Sequence, residues 1–281
     1  MKAAFKITLL VISLLSIVAC KKEQKTESVE VEERQTIEMV TDYGTVVIEL
    51  YNETPKHRDN FIKLANDGVL DSLLFHRVIN SFMIQAGDTN SKNAKATDTL
   101  GSGDLDYNVD AEFHPELFHK RGALGAARGD HPERASSSTQ FYIVQRKSRI
   151  DSLIDVDQER INGWLAEYHI KKDSTYKGIV DARKNAIEQE DWEHYTLYND
   201  SIKAIAKTYT NYDKYTIPEA HREVYRSFGG TPHLDQNYTV FGEVIKGIEV
   251  IDSIAAVKTN SLDRPESDVR IHSVKVIATD Q

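Results

Sequence analysis

The stretch Phe75-His76-Arg77-Val78-Ile79-Asn80-Ser81-Phe82-Met83-Ile84-Gln85-Ala86-Gly87-Asp88 gathers unlike side chains: a guanidinium (Arg77), two large apolar groups (Phe82, Met83) and a carboxamide (Gln85). It contains no nucleophile paired with a base. Such a set can hold a polar group against an apolar wall without attacking it. Hydrophobic alternation predicts a strand, a short turn and a second strand. In the second strand Phe82, Ile84 and Ala86 face one way, and Met83 and Gln85 the other. A plain strand pair explains the apolar residues but not an Arg and a Gln at these spacings. The same alternation points His76 away from Arg77, which predicts a structural role for it.

Two further stretches offer walls. Ser138-Thr139-Gln140-Phe141-Tyr142-Ile143-Val144 is a predicted strand with Gln140 and Tyr142 on one face, Phe141 and Ile143 on the other. Gly122-Ala123-Leu124-Gly125-Ala126-Ala127-Arg128-Gly129 is a run of small residues, where a ligand or another backbone can come close, or where the core packs tightly. Residues 75–88 resemble the Phe-His-Arg … Phe-Met-x-Gln-x-Gly-Asp signature of the cyclophilin-type peptidyl-prolyl isomerases. Residues 138–142 are similar to that family's Ser-Gln-Phe-Phe motif, and Gly101-Ser102-Gly103 to its glycine-bearing loop. His233-Leu234-Asp235-Gln236-Asn237-Tyr238-Thr239-Val240-Phe241-Gly242-Glu243-Val244 resembles its loop and Phe-Gly-x-Val strand.

There are departures. Thr139 stands for Ser, and Tyr142 for the Phe that floors the proline pocket. His233 stands where the forms most sensitive to cyclosporin carry Trp, and Tyr238 where they carry His. Tyr142 keeps the ring but adds a hydroxyl that needs a partner. The resemblance implies acceleration of rotation about Xaa-Pro bonds, without cofactor or metal. It implies catalytic roles for Arg77, Phe82 and Gln85. It assigns substrate binding to Met83, Ala127, Arg128, Gln140, Tyr142, His233, Leu234 and Tyr238. Phe82, Met83, Tyr142 and Leu234 then grip the pyrrolidine ring while Arg77 donates toward the prolyl nitrogen. Gln85 holds Arg77 or the substrate carbonyl, and the Arg128 amide contacts the rotating carbonyl.

These residues need elements to place them. Residues 36–50 carry two β-rich runs around Asp42-Tyr43-Gly44, a hairpin signal. Thr54-Pro55 opens a helix with Thr54 as N-cap, an apolar face at Phe61, Leu64 and Ala65, and Gly68 just past its end. Residues 88–110 are polar and loop-like, and Ala111-Glu112-Phe113 is a candidate short strand. The resemblance stops at about Lys147 and resumes at Gly230. Between them lies an insertion of helical pattern at about 147–229. Ile161, Trp164, Leu165 and Tyr168 predict one amphipathic helix. A longer helix is expected from about Ser174, carrying Ile179, Ile187, Tyr195, Tyr198, Ile202, Ile205 and Tyr209, and a third from Pro218 to Gly229-Gly230. Residues 247–256 predict a second capping helix and 269–278 a closing strand. The implied fold is mainly β: a closed eight-stranded antiparallel barrel capped by two helices, spanning 36–281 and interrupted by the helical insertion. That insertion either fills space as a packed hairpin or grips clients as an arm.

Residues 1–19 have a basic start and an apolar run too short to span a membrane, as in a secretory signal peptide. Ile17-Val18-Ala19-Cys20 resembles a bacterial lipobox, which implies lipid on Cys20. Residues 20–35 then form a polar tether, and the chain sits lipid-anchored in the cell envelope. The net charge is −9 with basic residues scattered, so a nucleic-acid partner is disfavoured. His114, His119 and His131 lack metal-ligand spacing. The expectation is a peptidyl-prolyl isomerase acting on proline-containing unfolded or exported polypeptides. Its competitor is a chaperone or Pro-segment binding module that recognises clients through the insertion.

Overall fold

The structure is a computed structural model that describes residues 33–278. The expected signal peptide, the lipid-bearing Cys20 and the tether up to residue 32 lie outside the described residues. Arg34 and Gln35, assigned above to the tether, are held. The Arg34 guanidinium pairs with Glu49 (2.8 Å) and Glu53 (2.9 Å), and the Gln35 carbonyl accepts from Leu50 N–H (2.8 Å).

β1 (Thr36–Thr41) and β2 (Gly44–Leu50) form the expected hairpin, in register from Thr41–Gly44 outward. α1 (Pro55–Asn66) buries Phe61, Leu64 and Ala65 on its inner stripe. Its cap differs from expectation. The Thr54 hydroxyl makes no cap bond. Instead Glu112 reaches in and accepts the N–H groups of Lys56 (3.1 Å) and His57 (3.0 Å). A carboxylate against the positive end of the helix satisfies two otherwise orphan donors. Residues 111–113 are therefore irregular chain that delivers the cap, not a strand.

β3 (Arg77–Ile79) and β4 (Met83–Ala86) come next, followed by the two-residue β5 (Asn108–Val109) and then β6 (Ala123–Ala126). β7 (Ser136–Ser137) pairs with β5 in a small separate sheet, and β8 (Phe141–Val144) ends the first part of the chain. The insertion supplies α2 (Asp151–Lys172), α3 (Lys177–Glu188), α4 (Trp192–Ala206) and α5 (Glu219–Ser227). One turn of 3-10 helix at Pro232–Leu234, β9 (Val240–Lys246), α6 (Ile248–Ala255) and β10 (Ile271–Ile277) complete the chain.

Eight strands make one curled antiparallel sheet in the order β10-β1-β2-β9-β6-β8-β4-β3. Closure is less complete than the expected barrel. β3 and β10 share no ladder. The gap is crossed by one bridge, Leu74 to Arg270, and by backbone bonds such as Phe75 N–H to Val269 O (2.9 Å) and Ile271 N–H to Leu73 O (2.8 Å). The concave side is packed by Ile37, Ile48, Phe75, Ile84, Leu124, Phe141 and Ile143, closed over by Phe61 and Leu64 of α1 and by Ile251 and Ile254 of α6.

The insertion departs from its expected form as well. The long helix from Ser174 is two helices, broken where Glu190 takes φ 55° and Asp191 caps α4 by accepting His194 N–H (3.1 Å). The break turns Ile187, expected inward, to 39% exposure. Ala166 and Ile170 of α2 pack on Ile202 and Ala206 of α4, while Ile154, Ile161 and Leu165 pack on Ile217 and on Tyr225 of α5.

Candidate functional site

Strand register lines up the site. Arg77 of β3 stands opposite Gln85 of β4, Gln85 opposite Tyr142 of β8, and Tyr142 opposite Gly125 of β6. Side chains alternate across a strand, so the next row (Val78, Ile84, Ile143, Leu124) goes to the core. One row of residues thus carries a cation, an amide and a phenol across the convex face of four neighbouring strands.

Gly125 ends that row for a steric reason. A Cβ there would sit 2.4–2.5 Å from the far edge and hydroxyl of the Tyr142 ring, so the absent side chain is the space the ring occupies. Met83, Tyr142, Val144, Leu234 and Val240 form an apolar cluster beneath the row, with Phe82, Ala127 and Tyr238 packed at its rim. A pocket of about 160 Å³ opens here, walled by Phe82, Met83, Tyr142, Leu234 and Tyr238, with Arg77, Gln85, Ala127 and Arg128 at its polar edge.

Phe82 corrects the alternation expected from sequence. It lies not in β4 but in the turn before it, where Ser81 has φ 60° and Phe82 N–H donates to Ile79 O (3.1 Å). That turn resets the period and sends the ring to the pocket with Met83, instead of to the core with Ile84. Gln140 and His233 do not line the pocket; they stand behind residues that do. Gln140 precedes β8 and accepts from Gln85 Nε2 (3.1 Å), while its own Nε2 donates to the carbonyls of Gly101 (3.0 Å) and Gly103 (2.9 Å). The 101–103 loop thereby fixes Gln140, and Gln140 fixes Gln85. The His233 ring stacks on Phe82 at 5.4 Å, and burial pushes its pKa down to about 3, leaving a neutral flat support. His76 is buried beside residues 96–100 and Arg264, away from the pocket, with its pKa pushed down to about 4 by burial. Cys20 lies outside the described residues.

Arg77 is the most exposed member of the set. Its only ion-pair partner among the described residues is Asp263, at 3.5 Å, and its side chain is 44% exposed. Arg128 is held more firmly: Nε donates to Asn237 O (2.8 Å), Nη1 to Gly129 O (2.9 Å), and the guanidinium lies 4.8 Å over the Tyr238 ring. The β6 ladder continues to Ala127, whose N–H donates to Gln140 O (2.9 Å) and whose carbonyl accepts from Ser137 (2.9 Å). Beyond it the Arg128 N–H has no partner among the described residues, so a donor is left at the pocket edge.

The Tyr142 hydroxyl finds its partner beneath the pocket. It bonds to His119 Nε2 (2.8 Å), and His119 Nδ1 bonds to Asp235 (2.8 Å). Asp235 also accepts the His119 N–H (3.0 Å) and the hydroxyl of Tyr225 on α5 (2.6 Å). All four side chains are almost fully buried. Three donors converge on Asp235, so His119 donates to it through Nδ1 and accepts the Tyr142 O–H hydrogen bond at Nε2. Burial holds the Tyr142 hydroxyl protonated, far above its ordinary range. Sequence inspection missed this relay. Among the described residues no three His, Cys, Asp or Glu side chains gather as metal ligands.

Known proteins share these features. The family description cyclophilin type peptidyl-prolyl cis-trans isomerase/CLD matches residues 36–170 and 171–276. A putative peptidyl-prolyl cis-trans isomerase of Staphylococcus haemolyticus is 30% identical over 241 residues, covering 85% of this chain and 90% of its own. One from Staphylococcus aureus is 30% identical over 239 residues, with 85% and 89% covered. The crystal structure of a Cryptosporidium parvum cyclophilin type peptidyl-prolyl cis-trans isomerase superposes with a TM-score of 0.53 at 18% identity, covering 88% of this chain and all of that one. The same protein in the presence of the dipeptide Ala-Pro gives 0.50 at 17%, covering 87% of this chain and again all of that one.

Proposed function

The chain belongs to the cyclophilin-type peptidyl-prolyl cis-trans isomerase family, and we propose that the pocket between Arg77 and Leu234 is where it turns Xaa-Pro bonds. Resonance gives the peptide C–N bond a rotational barrier of about 18–20 kcal/mol. Xaa-Pro bonds therefore exchange over roughly tens to hundreds of seconds. No covalent step is needed to speed this. A site must bind the twisted bond, with its pyramidal nitrogen, better than either planar form.

Phe82, Met83, Tyr142 and Leu234 clamp the pyrrolidine ring as the fixed end. Arg77 donates toward the prolyl nitrogen, localises its lone pair and weakens the C–N double bond. Gln85, with its Nε2 engaged by Gln140, keeps Oε1 free to steer Arg77. The unpartnered Arg128 N–H meets the carbonyl of the residue before proline. Hydrogen bonds to charged groups are the strong ones, and two that form only in the twisted state supply several of the ~7 kcal/mol behind a 10⁵-fold gain.

The single observation that carries this reading is the cross-strand row Arg77–Gln85–Tyr142 above an apolar notch. An exchange assay on a short Xaa-Pro peptide tests it: the wild type shortens the exchange time by orders of magnitude. A wild type that leaves the uncatalysed rate unchanged refutes it. We further infer that the clients are exported polypeptides and that the protein acts at the cell envelope through lipid on Cys20. Support comes from the basic start, short apolar run and Ile17-Val18-Ala19-Cys20 of the sequence. Metabolic labelling with a palmitate analogue, lost in Cys20→Ala, checks the anchor; label retained by Cys20→Ala overturns it.

A further inference from the structure

A second cleft, of about 190 Å³, adjoins the proline pocket, and Arg128 and Tyr238 line both. Its other walls are the 130–134 loop and the face of α2 that carries Trp164, Glu167 and Tyr168. The insertion therefore builds one wall of it.

The charges around this cleft run against the rest of the chain, whose net charge is −9. Elsewhere the arginines other than Arg146 sit on carboxylates, for example Arg121 on Asp252 (2.6 Å), Arg149 on Asp157 and Arg222 on Asp151 (3.0 Å). Around the cleft three do not. Arg128 lies over Tyr238 (4.8 Å), Arg134 over Tyr168 (4.0 Å) and Arg160 over Trp164 (4.7 Å). None of the three has a carboxylate within ion-pair distance among the described residues. Arg134 gives one donor to Gln236 O (2.6 Å) and Arg128 two to carbonyls, whereas the Arg160 guanidinium makes no hydrogen bond among the described residues. Stacking on a ring occupies the plane of a guanidinium and leaves its N–H edge available to a carboxylate. The negative groups do not cancel this. Asp130 is taken by Lys171 (3.1 Å) and Arg183, which leaves half-buried Glu167, without an ion-pair partner among the described residues, as the remaining opposing carboxyl in the described lining.

We propose that the cleft is an extended subsite for the client segment flanking the proline, and that it selects Asp or Glu there. The proposal rests on the isomerase reading, because it is the proline pocket that places the segment. A chain in extended form advances ~3.3–3.6 Å per residue, so side chains a few positions from the proline reach the cleft.

The test compares two peptides that differ only in Glu or Lys at the positions flanking Pro, beside a short uncharged Xaa-Pro peptide. The wild type turns over the Glu peptide roughly three- to tenfold faster in kcat/KM at low salt, and the preference shrinks at high ionic strength. Arg160→Glu, at an exposed position, reduces or reverses that preference while short-peptide turnover is unchanged. Glu167→Gln enlarges it. Equal turnover of the Glu and Lys peptides, a Lys preference, or a Glu preference untouched by Arg160→Glu overturns the subsite. Absence of turnover for the short peptide instead refutes the isomerase reading, and the Glu–Lys comparison is then made by binding titration with the same two criteria.

Discussion

At the scale of single residues, the site depends on where one hydroxyl goes. Tyr142 keeps its hydroxyl out of the pocket by bonding His119, so the floor of the pocket is an apolar ring. Tyr142→Phe should leave kcat/KM within about threefold. It should cost about 1–3 kcal/mol of stability in urea melts, because His119 Nε2 loses its buried partner. A large activity loss without destabilisation would mean the hydroxyl faces substrate. Gly125→Ala tests the same ring from below: the added Cβ displaces it into the pocket, raising KM severalfold and costing about 1–3 kcal/mol. Arg77, Gln85, Met83 and Tyr142 were legible in the sequence because one strand period and one turn decide their face. The relay through His119, Asp235 and Tyr225 was not: its members are far apart in the chain and meet only through packing. Phe82 was legible by type but not by face, since a positive φ at Ser81 interrupts the alternation.

At the scale of elements, the insertion is part of the site's support. Tyr225 of α5 donates to Asp235, and Trp164 of α2 meets the edge of His233, which in turn backs Phe82. An arm that only gripped clients could be excised without touching the pocket. Here, removing residues 151–227 should lower kcat/KM on a short peptide at least severalfold even where the remainder folds, and Tyr225→Phe should raise KM with little change in kcat. Wild-type short-peptide kinetics in both variants would show that the insertion is independent. Helix existence within the insertion was readable from apolar spacing. The break at Glu190 was not, because Gln189-Glu190-Asp191 carries no Gly or Pro to mark it.

At the scale of the whole molecule, acid sensitivity follows from two buried imidazoles. Burial holds the pKa of His76 down at about 4 and that of His233 at about 3, against 6.5 when exposed. Between those values the unfolded chain binds protons that the fold refuses. Stability is therefore full above about pH 6.5 and falls as pH drops toward 4, by on the order of 3 kcal/mol from His76 alone. Urea midpoints measured across that range should fall, and His76→Leu should flatten the slope. A flat wild-type profile would contradict it. Catalysis moves no proton, so kcat/KM should stay level from about pH 7 to 9. The antiparallel β architecture was legible from alternation and turns. The incomplete seam between β3 and β10 was not, because it depends on one bridge and on backbone bonds made by residues 73–75, before β3 begins.

The central claim is that Arg77 acts on the twisted bond and not on the bound peptide. Exchange spectroscopy on an Xaa-Pro peptide gives kcat and Kd separately for wild type and Arg77→Gln. The expected result is a kcat lowered by about 10²–10³ with Kd changed less than about threefold. A weakened Kd with kcat preserved would contradict it, assigning Arg77 to ground-state binding alone.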